Sequence, residues 1–176
     1  DRFGGIVIVD TPVNPPDSPR RGPPPVRGGK VYPSLEAALA RFRLAPPQLC
    51  ENHYALDYIA RWSLHKAPMQ DGSGDGWAWK FDPSIWQRFS VSRPPQELLK
   101  ETRCRIALFK GDKSIIWDPD VRDYMRGLLN RQVPFIEIPE ARHHVMLDQP
   151  LAFVAALRTL LQEWAYSTSD RVVPTR

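Results

Sequence analysis

Two adjacent histidines, His143 and His144, lie between an apolar run and a segment with helical spacing. Two aspartates hold comparable places, because Asp10 ends one apolar run and Asp112 follows another. Imidazole titrates near neutral pH and can therefore accept and return a proton, while a carboxylate can fix the tautomer of the ring. The sequence thus contains two of the three groups of a nucleophile–histidine–acid relay.

The histidine pair also admits a metal-binding interpretation. His143, His144 and Asp148 lie close together in the sequence. Their spacing does not match the helical H-E-x-x-H pattern, and adjacent side chains of a loop rarely face one ion. We therefore expect no metal at this loop and no cofactor elsewhere. His144 is interpreted as a structural or pocket-lining neighbour of His143.

Three apolar runs predict the strands that must position these residues. They are "FGGIVIVD" (3–10), "CRIALF" (104–109) and "VPFIEIP" (133–139). A helical pattern follows each of the last two, which is typical of parallel strands with crossover helices. Because ligands gather at the carboxyl ends of parallel strands, the loops with Asp10 and His143 are the candidate site. Three strands cannot complete a doubly wound sheet, so further strands are expected upstream.

Helix signals accompany the strands. Ser34 is a candidate N-cap, Asp118 with Pro119 supplies a cap and first turn, and Asp148 is expected to cap the last helix. The tail from Ser167 is polar, and we expect it to fray. Apolar faces at helical spacing are predicted on three segments: Tyr54, Leu56, Tyr58, Ile59 and Trp62 within 51–66; Val121, Tyr124, Met125, Leu128 and Leu129; and Leu151, Val154, Leu157, Leu161 and Trp164.

Residues 11–100 differ in character from both flanks. The stretch 11–33 is dense in Pro, Gly and Arg, which predicts a linker or excursion loop. Its "SPRRGPPPVR" run, of which 19–27 lie outside the residues described below, is either a polyproline ligand for a partner domain or a mobile entrance to the region that follows. Helical patterns, a flexible "DGSGDG" loop (71–76) and a cluster of aromatic residues follow. Most of this cluster is expected to be core, and the candidates for lining an apolar pocket are Trp77, Trp79, Phe81 and Trp86.

The composition is that of an ordinary globular protein. The 176 residues are 42% hydrophobic and 25% charged, enough to bury a core. The net charge is +4, but the basic residues are scattered among 20 acids, so we expect no nucleic-acid partner. No apolar run approaches the ~18 residues of a bilayer span, and two cysteines make no disulfide framework. We expect a cytoplasmic location, with an upstream targeting segment left open.

The C-terminal part of the chain resembles the end of an α/β-hydrolase. In that superfamily a strand leads into a Pro-x-Ala-Gly-His loop, an apolar step, a proline and the last helix, and "IPEARHHVMLDQPLAFVAALRTLL" (138–161) is similar. "GIVIVDTP" (5–12) resembles the strand that leads into the inserted cap. The resemblance implies that His143 is the catalytic base of a partial α/β-hydrolase fold. It also implies four regions: core strand 1–10, helical cap 11–100, C-terminal core 101–166 and tail 167–176.

Two positions depart from the superfamily's pattern. Arg142 stands where a glycine usually precedes the histidine. Ser114 stands at the acid's place in the Gly-x-x-Asp run that follows the penultimate strand of many members. Other members, some haloalkane dehalogenases among them, take the acid from the strand that leads into the cap. The resemblance therefore implies Asp10 as the acid, with Asp112 as the fallback.

The nucleophile that such an enzyme needs is not found in the sequence. Members carry it on a tight turn as G-x-S-x-G or an aspartate variant, and no G-x-S-x-G occurs in the 176 residues. The resemblance implies hydrolysis of an ester or related carbonyl in a small apolar molecule, with an upstream nucleophile. An upstream aspartate would instead imply epoxide or haloalkane hydrolysis. A non-catalytic, partner-binding protein on a hydrolase scaffold is the remaining alternative. Association with a missing N-terminal half or with a second copy is also expected.

Overall fold

The computed structural model describes most of the chain, namely residues 3–18, 29–82, 84–85, 93–117 and 119–169. The strands there are β1 (Gly5–Val9), β2 (Leu64–Pro68), β3 (Asp75–Trp79), β4 (Arg105–Gly111) and β5 (Phe135–Ile138). The helices are α1 (Leu35–Leu39), α2 (His53–Trp62), α3 (Pro95–Glu101), α4 (Val121–Leu129), α5 (Val145–Asp148) and α6 (Pro150–Ser169). The chain divides into two compact units, the first being Asp1–Val13 with Thr102–Arg176, and the second Asn14–Glu101.

A parallel sheet with the strand order β1-β4-β5 is the centre of the first unit. β1 pairs with β4 from Gly5 opposite Arg105 onward, and β4 pairs with β5 from Leu108 opposite Phe135. Residues 106–109 of β4 are all buried, although successive side chains point to opposite faces. This burial on both faces is typical of a parallel sheet covered by helices. The three predicted strands and the α/β class are confirmed.

The buried face of the last helix matches the predicted one only in part, since Leu157 and Trp164 face the core as predicted and the other three predicted residues do not. Leu151, Val154 and Leu161 are exposed, whereas Leu160 and Trp164 belong to the main core cluster. Apolar residues occur around most of the circumference of α6, so the helical period alone allowed more than one buried face. The remaining core-facing residues of the helix are Phe153, Ala156 and Leu157.

Helix ends also differ from the predictions. α4 begins at Val121 with Asp120 at the N-cap, and the predicted cap Asp118 lies outside the described residues. Asp148 is the last residue of α5, and its carboxylate accepts the backbone N–H of Arg142 at 2.7 Å. The expected cap of the last helix therefore stabilises the preceding loop instead. The tail expected to fray from Ser167 is helical through residue 169.

The predicted face of α4 is confirmed. Val121, Met125, Leu128 and Leu129 are buried. Asn130 ends the helix with a φ of 47°, a left-handed C-cap that asparagine tolerates better than most residues. The sequence pattern succeeded here because the opposite face of α4 is charged.

The second unit is mixed rather than purely helical. Ser34 caps α1 as predicted, since its hydroxyl accepts the N–H of Ala37 at 3.1 Å. The helix predicted over residues 51–66 ends at Trp62, and β2 follows and pairs antiparallel with β3. Residues 64–66 pair with β3 instead of continuing the helix, and helical periodicity alone cannot predict such a pairing. The predicted apolar face of α2 was also wrong, because most of it is exposed: Tyr54, Tyr58, Ile59 and Trp62.

None of the helices in the described ranges is both long enough and apolar enough to cross a bilayer.

Candidate active site

Asp10 follows β1 and is completely buried, with 0% of its surface exposed. Its φ is +44°, in the left-handed region that aspartate enters more readily than most residues do. Its backbone N–H donates to the carbonyl oxygen of Phe109 at 2.8 Å, which joins the end of β1 to β4. The backbone around Asp10 therefore turns sharply while it stays attached to the sheet, and this fixes the direction of the side chain.

Among the described residues, three groups lie within hydrogen-bond distance of the Asp10 carboxylate. The backbone N–H of Gly111 donates to Oδ1 at 3.0 Å, and the hydroxyl of Ser114 donates to Oδ2 at 2.6 Å. Nδ1 of His143 lies 2.9 Å from the same Oδ2. A buried carboxylate loses its hydration, and these contacts compensate for that loss. An ionised carboxylate only accepts hydrogen bonds, so a contact of this kind with Oδ2 suits the tautomer of His143 that carries its proton on Nδ1.

His143 lies in the loop between β5 and α5, which we call the histidine loop (139–144). Its side chain is 23% exposed, while its acid partner is fully buried. Because Nδ1 of His143 faces Asp10, Nε2 is the ring nitrogen that could take part in proton transfer. The ring of His144 lies edge-on against that of His143, with 4.7 Å between centroids. His144 thus packs beside His143 at the start of α5.

The loop after β4 packs tightly against the histidine loop. A Cβ built on Gly111 would lie 2.4 Å from the carbonyl oxygens of Ala141 and Arg142, so only glycine fits there. The backbone N–H of Lys113 donates to the Ala141 oxygen at 2.9 Å. The Lys113 ammonium pairs with the Glu140 carboxylate, and this hydrogen bond raises the pKa of Lys113 above its usual value. Backbone contacts and one exposed ion pair therefore hold the two loops together.

Asp112, the fallback acid, lies elsewhere in this arrangement. The residue is exposed, and its backbone N–H donates to the Ile138 oxygen at 3.2 Å. The carboxylate that contacts His143 is that of Asp10. The geometry thus favours Asp10 over Asp112 as the acid of the pair.

The predicted pocket aromatics fall in the second unit. Trp77 lies on β3 under the ammonium of Lys66, which is 4.5 Å from the ring centroid. The rings of Trp79 and Phe42 have centroids 5.7 Å apart, and Phe81 is 54% exposed. Trp86 lies outside the described residues. Their assignment to a substrate pocket stays a prediction.

The metal-binding interpretation finds no support in the described ranges. No group of three or more His, Cys, Asp or Glu side chains there is placed to hold an ion. Asp148 instead accepts the N–H of Arg142, as described above.

Two contributors to the site were not predicted from the sequence. Gly111 supplies a backbone donor to Asp10, and Ser114 supplies a hydroxyl donor. In the sequence, Gly111 matches the glycine of the Gly-x-x-Asp run, and Ser114 departs from that run at the acid's place. Their positions at the end of β4, beside the end of β1, were the signal that could have identified them, since neighbouring parallel strands end together.

Comparison with solved structures identifies the fold. A thioesterase domain from the curacin biosynthetic pathway superposes with a TM-score of 0.65 at 20% identity, covering 89% of this chain and 58% of its own. A peroxisomal α/β-hydrolase from Saccharomyces cerevisiae gives 0.67 at 14% identity, covering 99% and 48%. An esterase from Mycobacterium tuberculosis gives 0.62 at 17% identity, covering 90% and 52%. No family model and no curated protein matches the sequence.

These similarities confirm that the chain has part of an α/β-hydrolase fold. The chain spans about half the length of the solved structures that it matches, between 48% and 58% in the three cases given. The sequence identities are low, so the similarity concerns the fold.

Proposed function

We propose that this chain supplies the histidine and the acid of an α/β-hydrolase active site that cleaves an ester or a related carbonyl compound. The observation that supports this most directly is the 2.9 Å contact between Nδ1 of a partly exposed His143 and the buried carboxylate of Asp10. Both residues follow parallel strands at the edge of the sheet where open α/β folds bind ligands. The similarity to an esterase and a thioesterase domain adds to the argument.

In this proposal the two residues have distinct roles. Nε2 of His143 accepts the proton of the nucleophile as it attacks the carbonyl carbon, and then returns that proton to the leaving group. Asp10 holds the ring with its proton on Nδ1 and stabilises the imidazolium that forms. The nucleophile and the donors to the developing oxyanion come from residues before this chain. We use "full-length protein" for the chain together with those residues.

The first prediction is a loss of ester hydrolysis when either residue is changed in the full-length protein. We expect His143→Ala and Asp10→Asn each to lower kcat by roughly 10³-fold or more, because the base is lost or its tautomer is no longer fixed. Initial rates with a series of p-nitrophenyl esters measure this. His53→Ala serves as a matched control, because His53 is an exposed residue at the start of α2.

The outcome also separates the alternatives. Full activity in both variants would contradict the relay. No activity of any kind in the wild type, together with the absence of an upstream nucleophile turn, would favour a non-catalytic scaffold. Labelling by a fluorophosphonate indicates a serine nucleophile, whereas unlabelled protein that hydrolyses epoxides or haloalkanes indicates an aspartate.

A further inference from the structure

Ser114 contacts the oxygen of Asp10 that also contacts His143. Its hydroxyl donates to Oδ2 at 2.6 Å, and Nδ1 of His143 lies 2.9 Å from that same atom. The side chain is buried, with 9% of the residue exposed. A short hydrogen bond from a hydroxyl to a carboxylate belongs to the strong class of hydrogen bonds.

We propose that Ser114 is a positioning residue of the active site, which sets the orientation of the Asp10 carboxylate and, through it, of the His143 ring. This inference rests on the proposed function and adds one residue to the proposed active site. Ser114 does not touch the reacting atoms in this proposal. It acts through Asp10 alone.

The geometry explains why two donors are needed. The carboxylate of Asp10 can rotate about its terminal bond, since that torsion is soft. Gly111 holds Oδ1 and Ser114 holds Oδ2, so each oxygen has one donor that is independent of His143. Without Ser114, the histidine would be the one remaining described donor to Oδ2 and would have to orient its own acid.

The backbone of Ser114 is itself well anchored. Its N–H donates to the carbonyl oxygen of Gly111 at 3.0 Å, which closes a turn directly after β4. The neighbouring Lys113 N–H donates to the histidine loop at Ala141. The hydroxyl is therefore presented from a turn that is attached both to the sheet and to the loop of His143.

A purely structural role for Ser114 is the alternative. In that case the hydroxyl would merely join the turn after β4 to the end of β1, and its loss would lower stability without a specific effect on chemistry. A positioning role predicts in addition a fall in kcat at constant KM, because substrate binding does not involve Asp10. The two roles are therefore distinguishable by kinetics.

The kinetic test uses Ser114→Ala and the conservative Ser114→Thr in the full-length protein. We expect Ser114→Ala to lower kcat roughly tenfold, the scale of one hydrogen bond to a charged group, with KM unchanged. Ser114→Thr should recover most of the rate. In an Asp10→Asn background, Ser114→Ala should cause no further loss, because the residue that it orients is already altered.

Ser73→Ala is the matched control. Ser73 also donates to an aspartate, Asp71, at 2.6 Å, but it does so in an exposed turn between β2 and β3. Its loss removes the same type of contact without affecting Asp10. Unchanged kcat in Ser114→Ala, or an equal tenfold loss in the Asp10→Asn background, would contradict the proposal.

A spectroscopic measurement separates failure of this inference from failure of the proposed function. Proton NMR of the same protein reports the hydrogen-bonded Nδ1–H of His143, assigned through its absence in His143→Ala. We expect Ser114→Ala to broaden or shift this signal, and Ser114→Thr to retain it. If the wild type lacks hydrolase activity, this signal still decides whether Ser114 orients the pair. An unaltered signal in Ser114→Ala overturns the inference even in an active enzyme.

Discussion

Gly111 combines two functions at one position. Its N–H donates to Asp10, and its lack of a side chain lets the histidine loop approach β4. A methyl group there would meet two backbone carbonyl oxygens at 2.4 Å, and backbone cannot move aside as a flexible side chain can. The distance between Asp10 and His143 therefore depends on a residue that takes no part in proton transfer.

We predict that Gly111→Ala separates the two loops and lowers both stability and activity. The expected cost is about 2 kcal/mol or more in the free energy of unfolding, the range found for overpacking of tight sites. The accompanying fall in kcat should exceed tenfold, because small displacements of catalytic groups are costly. Urea unfolding and ester hydrolysis measure the two effects.

Gly127→Ala is the matched control for this prediction. Gly127 lies in α4, and a Cβ built there would meet no described atom within 4 Å apart from its chain neighbours and the nearby backbone of its own helix. Alanine also favours helix by about 1 kcal/mol over glycine. This substitution should therefore leave stability unchanged or increase it. Equal destabilisation by the two substitutions would show that the close approach at Gly111 has no special role.

At the scale of the element, α6 shows how tertiary contacts select one face of an apolar helix. Leu160 is 7% exposed and packs in the core, while the adjacent Leu161 is 48% exposed. On the same side as Leu160, the Trp164 ring lies so close to Gly5 of β1 that a Cβ there would meet it at 2.4 Å. α6 packs on the sheet where Gly5 leaves β1 without a side chain, and this contact determines which face of α6 is buried.

We predict that two neighbouring leucines of α6 differ in their contribution to stability. Leu160→Ala should lower the free energy of unfolding by about 2 to 4 kcal/mol, because it leaves a cavity in the core. Leu161→Ala should cost less than about 1 kcal/mol. Both substitutions make the same change in helix propensity, so the difference reports burial. Chemical denaturation with a common slope measures it, and a larger cost at Leu161 would contradict the buried face described here.

At the scale of the whole molecule, the chain has part of an α/β-hydrolase fold and spans about half the length of the solved structures that it matches. In the part of the chain that the structure describes, the parallel sheet has three strands with β1 at one edge, and Phe3 and Ile6 are exposed there. Strand edges with apolar surroundings invite pairing with a further strand. These features agree with the proposal that the nucleophile comes from residues before Asp1.

We therefore predict that the 176 residues alone hydrolyse p-nitrophenyl esters no faster than their His143→Ala variant. The full-length protein should hydrolyse them at a rate that depends on His143. Parallel assays of the two proteins, each with and without the substitution, test this. His143-dependent turnover by the 176 residues would place the nucleophile within them and refute this part of the proposal.

Much of the first unit was predictable from local pattern. The runs at 3–10, 104–109 and 133–139 are apolar enough to be read as buried strands, and the alternation with helices predicts parallel pairing. The face of α4 was predictable because charged residues occupy its other side. The complete face of α6, the face of α2 and the strand β2 were not, because each depends on which partner is packed against the segment.

The sequence by itself determined the three parallel strands and the residue types at their carboxyl ends, because burial on both faces requires a continuous apolar run and strand ends in such sheets share one edge. Only the tertiary structure decided how these ends meet. It directs Asp10 rather than Asp112 at His143, adds the hydroxyl of Ser114 to the same oxygen, and brings Gly111 against the histidine loop. The physical reason is that the contacts to Asp10 join residues more than a hundred positions apart, at distances of 2.6 to 3.0 Å that depend on the packing of whole strands and loops.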